Sequence, residues 1–194
     1  MFGIECRTQM VCRVATLEDL PAIRELIPVS VRGLSRDLYT TEQIESALVH
    51  VFGPDTQLIM DGTYFVVEKA EKLIGCGGWS RRAAIFGGDQ MKGAVDPLLE
   101  PTRDAARVRA FFVHPEWARR GIGTLLLKAS AEGAERGGFS TLELVGTLPG
   151  ERLYRQHGFE LVERIQHPLE PGLSIEWVRM RAPVKVVLES LAAR

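Results

Sequence analysis

The sequence predicts an α/β protein in which a mixed sheet is flanked by helices. Strand-like and helical runs alternate through the middle of the chain, and paired strand-like runs occupy its ends. An apolar strand also passes through a short turn into an amphipathic helix between Val113 and Leu127. The 194 residues suffice for one sizeable core, so one domain is expected over 1–194, with its core at about 11–181, a tail at 1–9 and a C-terminal extension at 183–194.

Residues 11–15 read as a short strand. Thr16 is placed to cap a helix whose Leu17, Leu20, Ile23 and Ile27 fall at helical spacing, with Pro21 early enough to be tolerated. Thr40-Thr41-Glu42-Gln43 has the cap-plus-acid pattern of a second helix, continuing through Ile44, Ala47, Leu48 and Val51. Residues 63–69 and 73–80 form an antiparallel hairpin. The connection 83–106, containing Gly87-Gly88-Asp89, far exceeds a simple hairpin loop and has the length of a lid or specificity loop. Residues 107–113 are the next strand, with Val108, Ala110 and Phe112 expected on one face.

The helix that opens at Gly121 sets Ile122, Leu125, Leu126 and Ala129 on one stripe and ends at Gly137-Gly138. A strand at 141–145 follows, Pro149 opens a short helix that closes at Gly158, and strands at 159–164 and 173–181 complete the sheet. In the extension, Val184, Val186, Val187, Leu188 and Leu191 suit the covering of either this domain or a neighbour.

Chemistry concentrates in the turn Ala118-Arg119-Arg120-Gly121-Ile122-Gly123-Thr124. Gly121 and Gly123 let the backbone bend sharply and face a ligand with its N–H groups, and the helix adds its own unpaired N–H groups and positive dipole end. Arg119 and Arg120 bring guanidinium forks that match phosphate oxygens. A pyrophosphate-bearing ligand is expected. The turn departs from a Walker A loop, whose Lys and spacing are absent, and from a dinucleotide fingerprint, since Leu126 stands where its third Gly belongs.

This turn resembles that of the GNAT-type N-acetyltransferases, whose Gln/Arg-x-x-Gly-x-Gly/Ala pattern aligns on residues 118–123, with Ala118 departing at the first position. A second block, Leu153-Tyr154-Arg155-Gln156-His157-Gly158-Phe159, is similar to the family's Tyr-x-x-x-Gly-Phe segment. The resemblance covers about 11–181 and implies a central, mostly antiparallel twisted sheet. It also implies acetyl-coenzyme A as cosubstrate, with no metal, held by Phe111, Phe112 and Val113 of the splayed strand and by Arg119, Arg120, Gly121, Ile122, Gly123 and Thr124 of the turn. Tyr154 stands at the family's general-acid position, where a phenol remains protonated at neutral pH. A backbone N–H at 111–113 is expected to meet the oxyanion, exposed by a β-bulge near Phe112.

No general base emerges. Arg107 and Arg109 occupy the strand on which the family often keeps a Glu, while Glu68, Glu143, His114 and His157 each suit structural roles. Tyr39, Trp79 and Arg81, with Arg82 beside it, are the expected acceptor contacts. The acceptor is read as an amine of a small molecule or peptide. A sensor that binds acyl-coenzyme A without turnover is the competing class, and another acyl group or acceptor the narrower variant.

Composition agrees. With 24 basic against 25 acidic residues the net charge is −1, which gives no global attraction to nucleic acid or to an anionic membrane. Cys6, Cys12 and Cys76 are odd in number and lack metal-ligand spacing, as reduced thiols in a cytoplasm would be. No signal-peptide or membrane-length apolar run is present, so a cytoplasmic protein is expected, with a homodimer suggested only by the general habit of soluble enzymes.

Overall fold

The computed structural model describes residues 9–91 and 96–193. Residues 1–8 of the expected tail, with Cys6, and residues 92–95 of the long connection lie outside the described residues. A seven-stranded sheet runs through the molecule. Strand β1 (Val11–Val14) pairs with β2 (Tyr64–Lys69), which returns as β3 (Lys72–Ser80) through Ala70 and Glu71, both at positive φ as a tight hairpin turn requires. Strand β4 (Ala106–Val113) follows, then β5 (Thr141–Thr147), β6 (Glu160–Glu170) and β7 (Leu173–Pro183). Their order is β1-β2-β3-β4-β5-β7-β6, and β4 with β5 is the one parallel pair among the strand pairings.

Helices cover both faces. On one lie α1 (Leu20–Ser35), α2 (Thr41–His50) and the single turn α3 (Thr56–Met60), packed around Ile23, Ile27, Ile44, Leu58, Tyr64 and Val66. On the other, α4 (Ile122–Arg136), α5 (Leu148–Gln156) and α6 (Val184–Ala192) enclose Val67, Ile74, Leu126, Leu127, Leu142 and Met180. Two apolar layers thus sandwich the sheet, as an element with two buried faces requires. No helix of the described residues is long and apolar enough to cross a membrane.

Thr16 caps only a 3-10 turn, Leu17–Asp19, through an Asp19 carboxylate that accepts from the Thr16 N–H at 2.7 Å. The helix proper starts at Leu20 and continues past Pro28 to Ser35. At α2 the Thr40 hydroxyl accepts from the Gln43 N–H at 3.2 Å while the Gln43 side chain accepts from the Thr40 N–H at 2.9 Å, a reciprocal cap. Helix α3 is capped by Asp55, and its five residues are too few to display a period. Strand β6 continues beyond 164 through Pro168, which an edge strand tolerates because one row of its backbone groups pairs with nothing. The C-terminal extension is α6, which buries Val184 and Val187 in the core beside α4.

The expected alternation of Val108, Ala110 and Phe112 is corrected by a bulge. Between the partners Gly78↔Arg109 and Cys76↔Phe112, β4 holds one more residue than β3. Ala110 takes φ 56°, so Val108 packs beneath α4 while Ala110 and Phe112 face α1 and α2. The buried Tyr64 hydroxyl donates to the Ala110 carbonyl at 3.0 Å and fixes the kink.

Glycines of β3 admit its neighbours. A Cβ on Gly75 would lie 2.5 Å from Ile122 Cγ2, on Gly77 2.3 Å from Phe111 Cδ1, and on Gly78 2.2 Å from the Thr63 carbonyl oxygen. Only the last obstacle is backbone, so it cannot rotate away. Gly78→Ala is expected to destabilise the protein by about 1–3 kcal/mol, the range of overpacked cores, measured by urea denaturation. An unchanged midpoint would show that β2 and β3 are not as tightly apposed as described.

Candidate active site

Strands β4 and β5 pair only at Ala106↔Leu142 and Arg107↔Glu143. Beyond these they part, and a cavity of about 670 Å³ opens between and beside them. The last joined pair is stitched by charge. Glu143, its side chain 5% exposed, takes an ion pair from Arg107 and another from Arg179 of β7 at 2.7 Å, and Arg179 also reaches Glu163 at 3.0 Å. Burial and the nearby Arg179 and Arg181 hold the Arg107 pKa below its usual value.

The connection from β4 to α4 forms one wall of the cavity. Arg119 and Gly121 take left-handed conformations, φ 63° and 86°, so the backbone turns back on itself ahead of the helix. Among the described residues no side chain caps α4. Its first-turn N–H groups therefore stay available, as they do at helix starts that hold anions. Gly123 brings the helix close to Leu153, whose Cδ2 would lie 2.9 Å from an added Cβ. The Arg120 guanidinium lies 4.8 Å from the Trp117 ring centroid, where Lys69 also sits at 4.8 Å.

Tyr154 lines the same side, 7% exposed, with its ring 6.2 Å from Phe111 and 5.5 Å from Phe159. Gly146 of β5 and Gly150 of α5 leave room for it: a Cβ on either would stand 3.3 Å from Tyr154 Cε2. Burial raises the phenol's pKa with no charge or hydrogen bond opposing it.

The opposite wall is built from α1, the α2–α3 junction and residues 84–88. Arg109 organises it. Its side chain, 2% exposed, pairs with Asp55 at 2.9 Å and donates to the carbonyls of Ala84 at 3.0 Å and Gly87 at 2.6 Å. The Gly88 N–H donates to the Val51 carbonyl, and Asp89 Oδ1 accepts from the Thr56 N–H and hydroxyl. Ile85 and Phe86 are thereby presented to the cavity beside Phe52 and Trp177. Ser30 reaches the free edge of β4, where its hydroxyl accepts from the Val113 N–H at 2.9 Å.

Of the sequence-derived coenzyme residues, Phe111, Phe112, Val113, Arg119, Gly121, Ile122, Gly123 and Thr124 line this cavity together with Tyr154. Arg120 does not; it is exposed over Trp117. The three expected acceptor contacts lie elsewhere. Tyr39 is a strut: its hydroxyl donates to the Glu176 carbonyl at 2.6 Å and accepts from the Leu148 N–H at 2.8 Å, and burial pushes its pKa up to about 12. Trp79 packs edge-on against Phe139 at 5.9 Å and over Gly133 and Gly137 of the α4 end. Arg81 is exposed at the far end of β3, and Arg82 is paired with Asp61 at 2.7 Å.

Among the other titratable groups, Glu68 pairs with Arg13, and His157 is fully buried with Nδ1 2.9 Å from the Ser190 hydroxyl. The Val113 N–H is taken up by Ser30. Sequence reasoning missed Ser30, Phe52, Phe86, Arg109 and Trp177, all of which line the cavity. Only the length of the 83–106 connection signalled that wall. Among the described residues no cluster of three His, Cys, Asp or Glu side chains is arranged to hold a metal.

An acetyltransferase (GNAT) domain model matches residues 60–161. No curated protein matches the chain by sequence. Solved structures resemble it in fold. A GCN5-related N-acetyltransferase from Rhodopseudomonas palustris is 17% identical, with 93% of this chain and 99% of that chain covered and a TM-score of 0.66. PaiA N-acetyltransferase from Thermoplasma acidophilum, in complex with coenzyme A, is 16% identical over 90% of this chain and 99% of its own, with a TM-score of 0.61. YncA, a putative acetyltransferase from Salmonella typhimurium with acetyl-CoA, is 16% identical over 90% and 94%, with a TM-score of 0.58.

Breaking one side of a buried ion pair strands the other charge. Arg109→Met is therefore expected to cost about 3–5 kcal/mol in denaturant unfolding and to speed proteolysis at residues 84–88. Adding Asp55→Asn, which keeps the α3 cap, should recover a large part of that loss. A single variant as stable as the parent would remove Arg109 as the organiser of this wall.

Proposed function

Because this chain belongs to the GNAT acetyltransferase family, we propose that it is an acetyl-coenzyme A-dependent N-acetyltransferase that transfers the acetyl group directly to a primary amine of a small molecule or peptide. The observation that carries this reading is the parting of β4 from β5 beside an uncapped helix start. The gap offers a strand edge and a phenol, and the helix start offers N–H groups with Arg119.

The residues fit the coenzyme. The left-handed turn at Arg119 and Gly121 and the first turn of α4 suit a pyrophosphate, and the free edge of β4 suits an amide-bearing arm laid beside it. A bound thioester supplies an activated acyl carbon for attack by the amine. Tyr154 is the proton donor to the departing thiolate, kept in its acid form by burial among Phe111, Phe159 and the Gly146 and Gly150 backbone. The amine attacks as the free base and releases its proton to solvent, which restores the proton of Tyr154, and holding both reactants in one cavity supplies much of the rate without a strong base. The Ser30 hydroxyl, having accepted from Val113, keeps its own proton to donate at the strand edge.

Calorimetric titration with acetyl-coenzyme A, followed by thiol release over pooled amines, tests the reading. Binding with release supports it, binding without release from any pool favours the acyl-coenzyme A sensor, and absence of binding overturns the assignment of the Gly121 turn. Tyr154→Phe is expected to lower turnover by roughly 10²–10⁴-fold with coenzyme affinity nearly kept, and unchanged turnover would remove Tyr154 as the acid. Arg119→Ala should weaken coenzyme binding by roughly 10-fold while leaving the fold intact.

The pH profile follows from the same burial. Since the neutral phenol is favoured, deprotonation of Tyr154 requires a pH above the ordinary value of 10.0, so it should cause no alkaline loss of turnover below that point. A loss near pH 8 that persists in Tyr154→Phe belongs to another group; one that vanishes in that variant contradicts the assignment of a raised pKa.

A further inference from the structure

The cavity wall opposite the Gly121 turn is aromatic, and its buried guanidinium, Arg109, is already committed. Phe52 meets Phe112 edge-on at 6.1 Å and Trp177 at 6.4 Å, and Phe86 meets Trp177 at 4.9 Å. Phe52 and Phe86 are only partly covered, so their rings face the open space. Behind Trp177, His167 stacks at 4.4 Å with 15° between the planes, and its burial keeps the imidazole neutral at neutral pH. Two charged residues complete this wall. Arg109 is shared between Asp55 and the loop carbonyls, and Asp37 sits at the rim with its side chain 91% exposed.

Each acceptor class makes a different demand on such a wall. A polyamine or a basic peptide needs carboxylates inside the site for its further ammonium groups, because desolvating an unpaired charge is unfavourable. A free amino acid needs a guanidinium or ammonium not already neutralised for its carboxylate. An apolar ring needs only ring faces and edges at van der Waals distance, which Phe52 and Phe86 provide, backed by the buried Trp177. Arg109 and the backbone hydrogen bonds of residues 84–89 fix Phe86 before any ligand arrives, so little ordering cost opposes binding.

We propose that the acceptor is an amine carried on an apolar, ring-sized body without a second charge, and that Phe52 and Phe86, supported by Trp177, select it. This rests on the acetyltransferase reading above and names its substrate class.

Calorimetry on the whole protein, saturated with coenzyme A, ranks phenethylamine, spermidine, lysinamide and glycine as probes, and acetyl-coenzyme A alone is titrated in parallel. Phenethylamine is expected to bind at least ~10-fold tighter than the other three. Phe86→Ala should erase most of that preference while acetyl-coenzyme A binds as in the parent, and Phe86→Leu serves if the smaller residue fails to fold. Spermidine, lysinamide or glycine binding as tightly as phenethylamine overturns the inference, as does an unaltered preference in both Phe86 variants. So does the failure of every amine to bind while acetyl-coenzyme A still does. If acetyl-coenzyme A itself does not bind, the acetyltransferase reading falls, and this inference with it.

Discussion

The site depends on one limit to backbone pairing: β4 and β5 are joined at two register positions and nowhere beyond. A sheet that zipped completely would have no opening, and one that never joined would have no fixed separation. The join is held where Glu143 is enclosed by Arg107 and Arg179 from the strands on either side. A buried ion cluster of this kind adds little to net stability, since desolvation offsets the Coulomb gain. Its value lies in register, because a slip of one residue would leave a carboxylate buried without its partners.

The second constraint is the bulge at Ala110. It puts Phe111 and Val113 on the face shared with Tyr154 and α4, while Ala110 and Phe112 turn toward α1 and the aromatic wall. One strand thereby serves both halves of the cavity. Tyr64 secures the kink from β2, and Gly77 of β3 leaves the space that Phe111 fills. The glycine-rich run from Gly75 to Gly78 is thus a packing feature of a site to which it contributes no functional group.

Local structure was legible in the sequence wherever a single element carried it. The Thr40 cap, the β2–β3 hairpin, the Gly121 turn and the placement of Tyr154 after Pro149 are all decided within a few residues, and the mixed sheet follows from their alternation. The bulge was not legible, because Val108, Ala110 and Phe112 make a perfect alternation and only the pairing with β3 reveals the extra residue. Tyr39, Trp79 and Arg81 read as pocket contacts from their position at element ends, yet the hydroxyl of Tyr39 and the ring of Trp79 answer demands made by distant segments, at Glu176 and at α4. Arg109 read as an obstacle to a general base, and its partner Asp55 lies far away in sequence as the cap of a helix too short to anticipate.

The manner in which residues 84–88 are held bears on how such a protein diverges. Arg109 grips that segment by the carbonyl oxygens of Ala84 and Gly87, groups that every amino acid possesses, and touches neither Ile85 nor Phe86 by hydrogen bond. Replacement of those two side chains therefore leaves the anchorage unchanged. Lineages descending from a common ancestor can exchange the side chains that the wall presents by single substitutions at 85 and 86 while these two hydrogen bonds are kept. The side chains at 85 and 86 are accordingly the part of this wall most open to drift, while the turn at Gly121, whose left-handed backbone constrains the residue itself, is among the least.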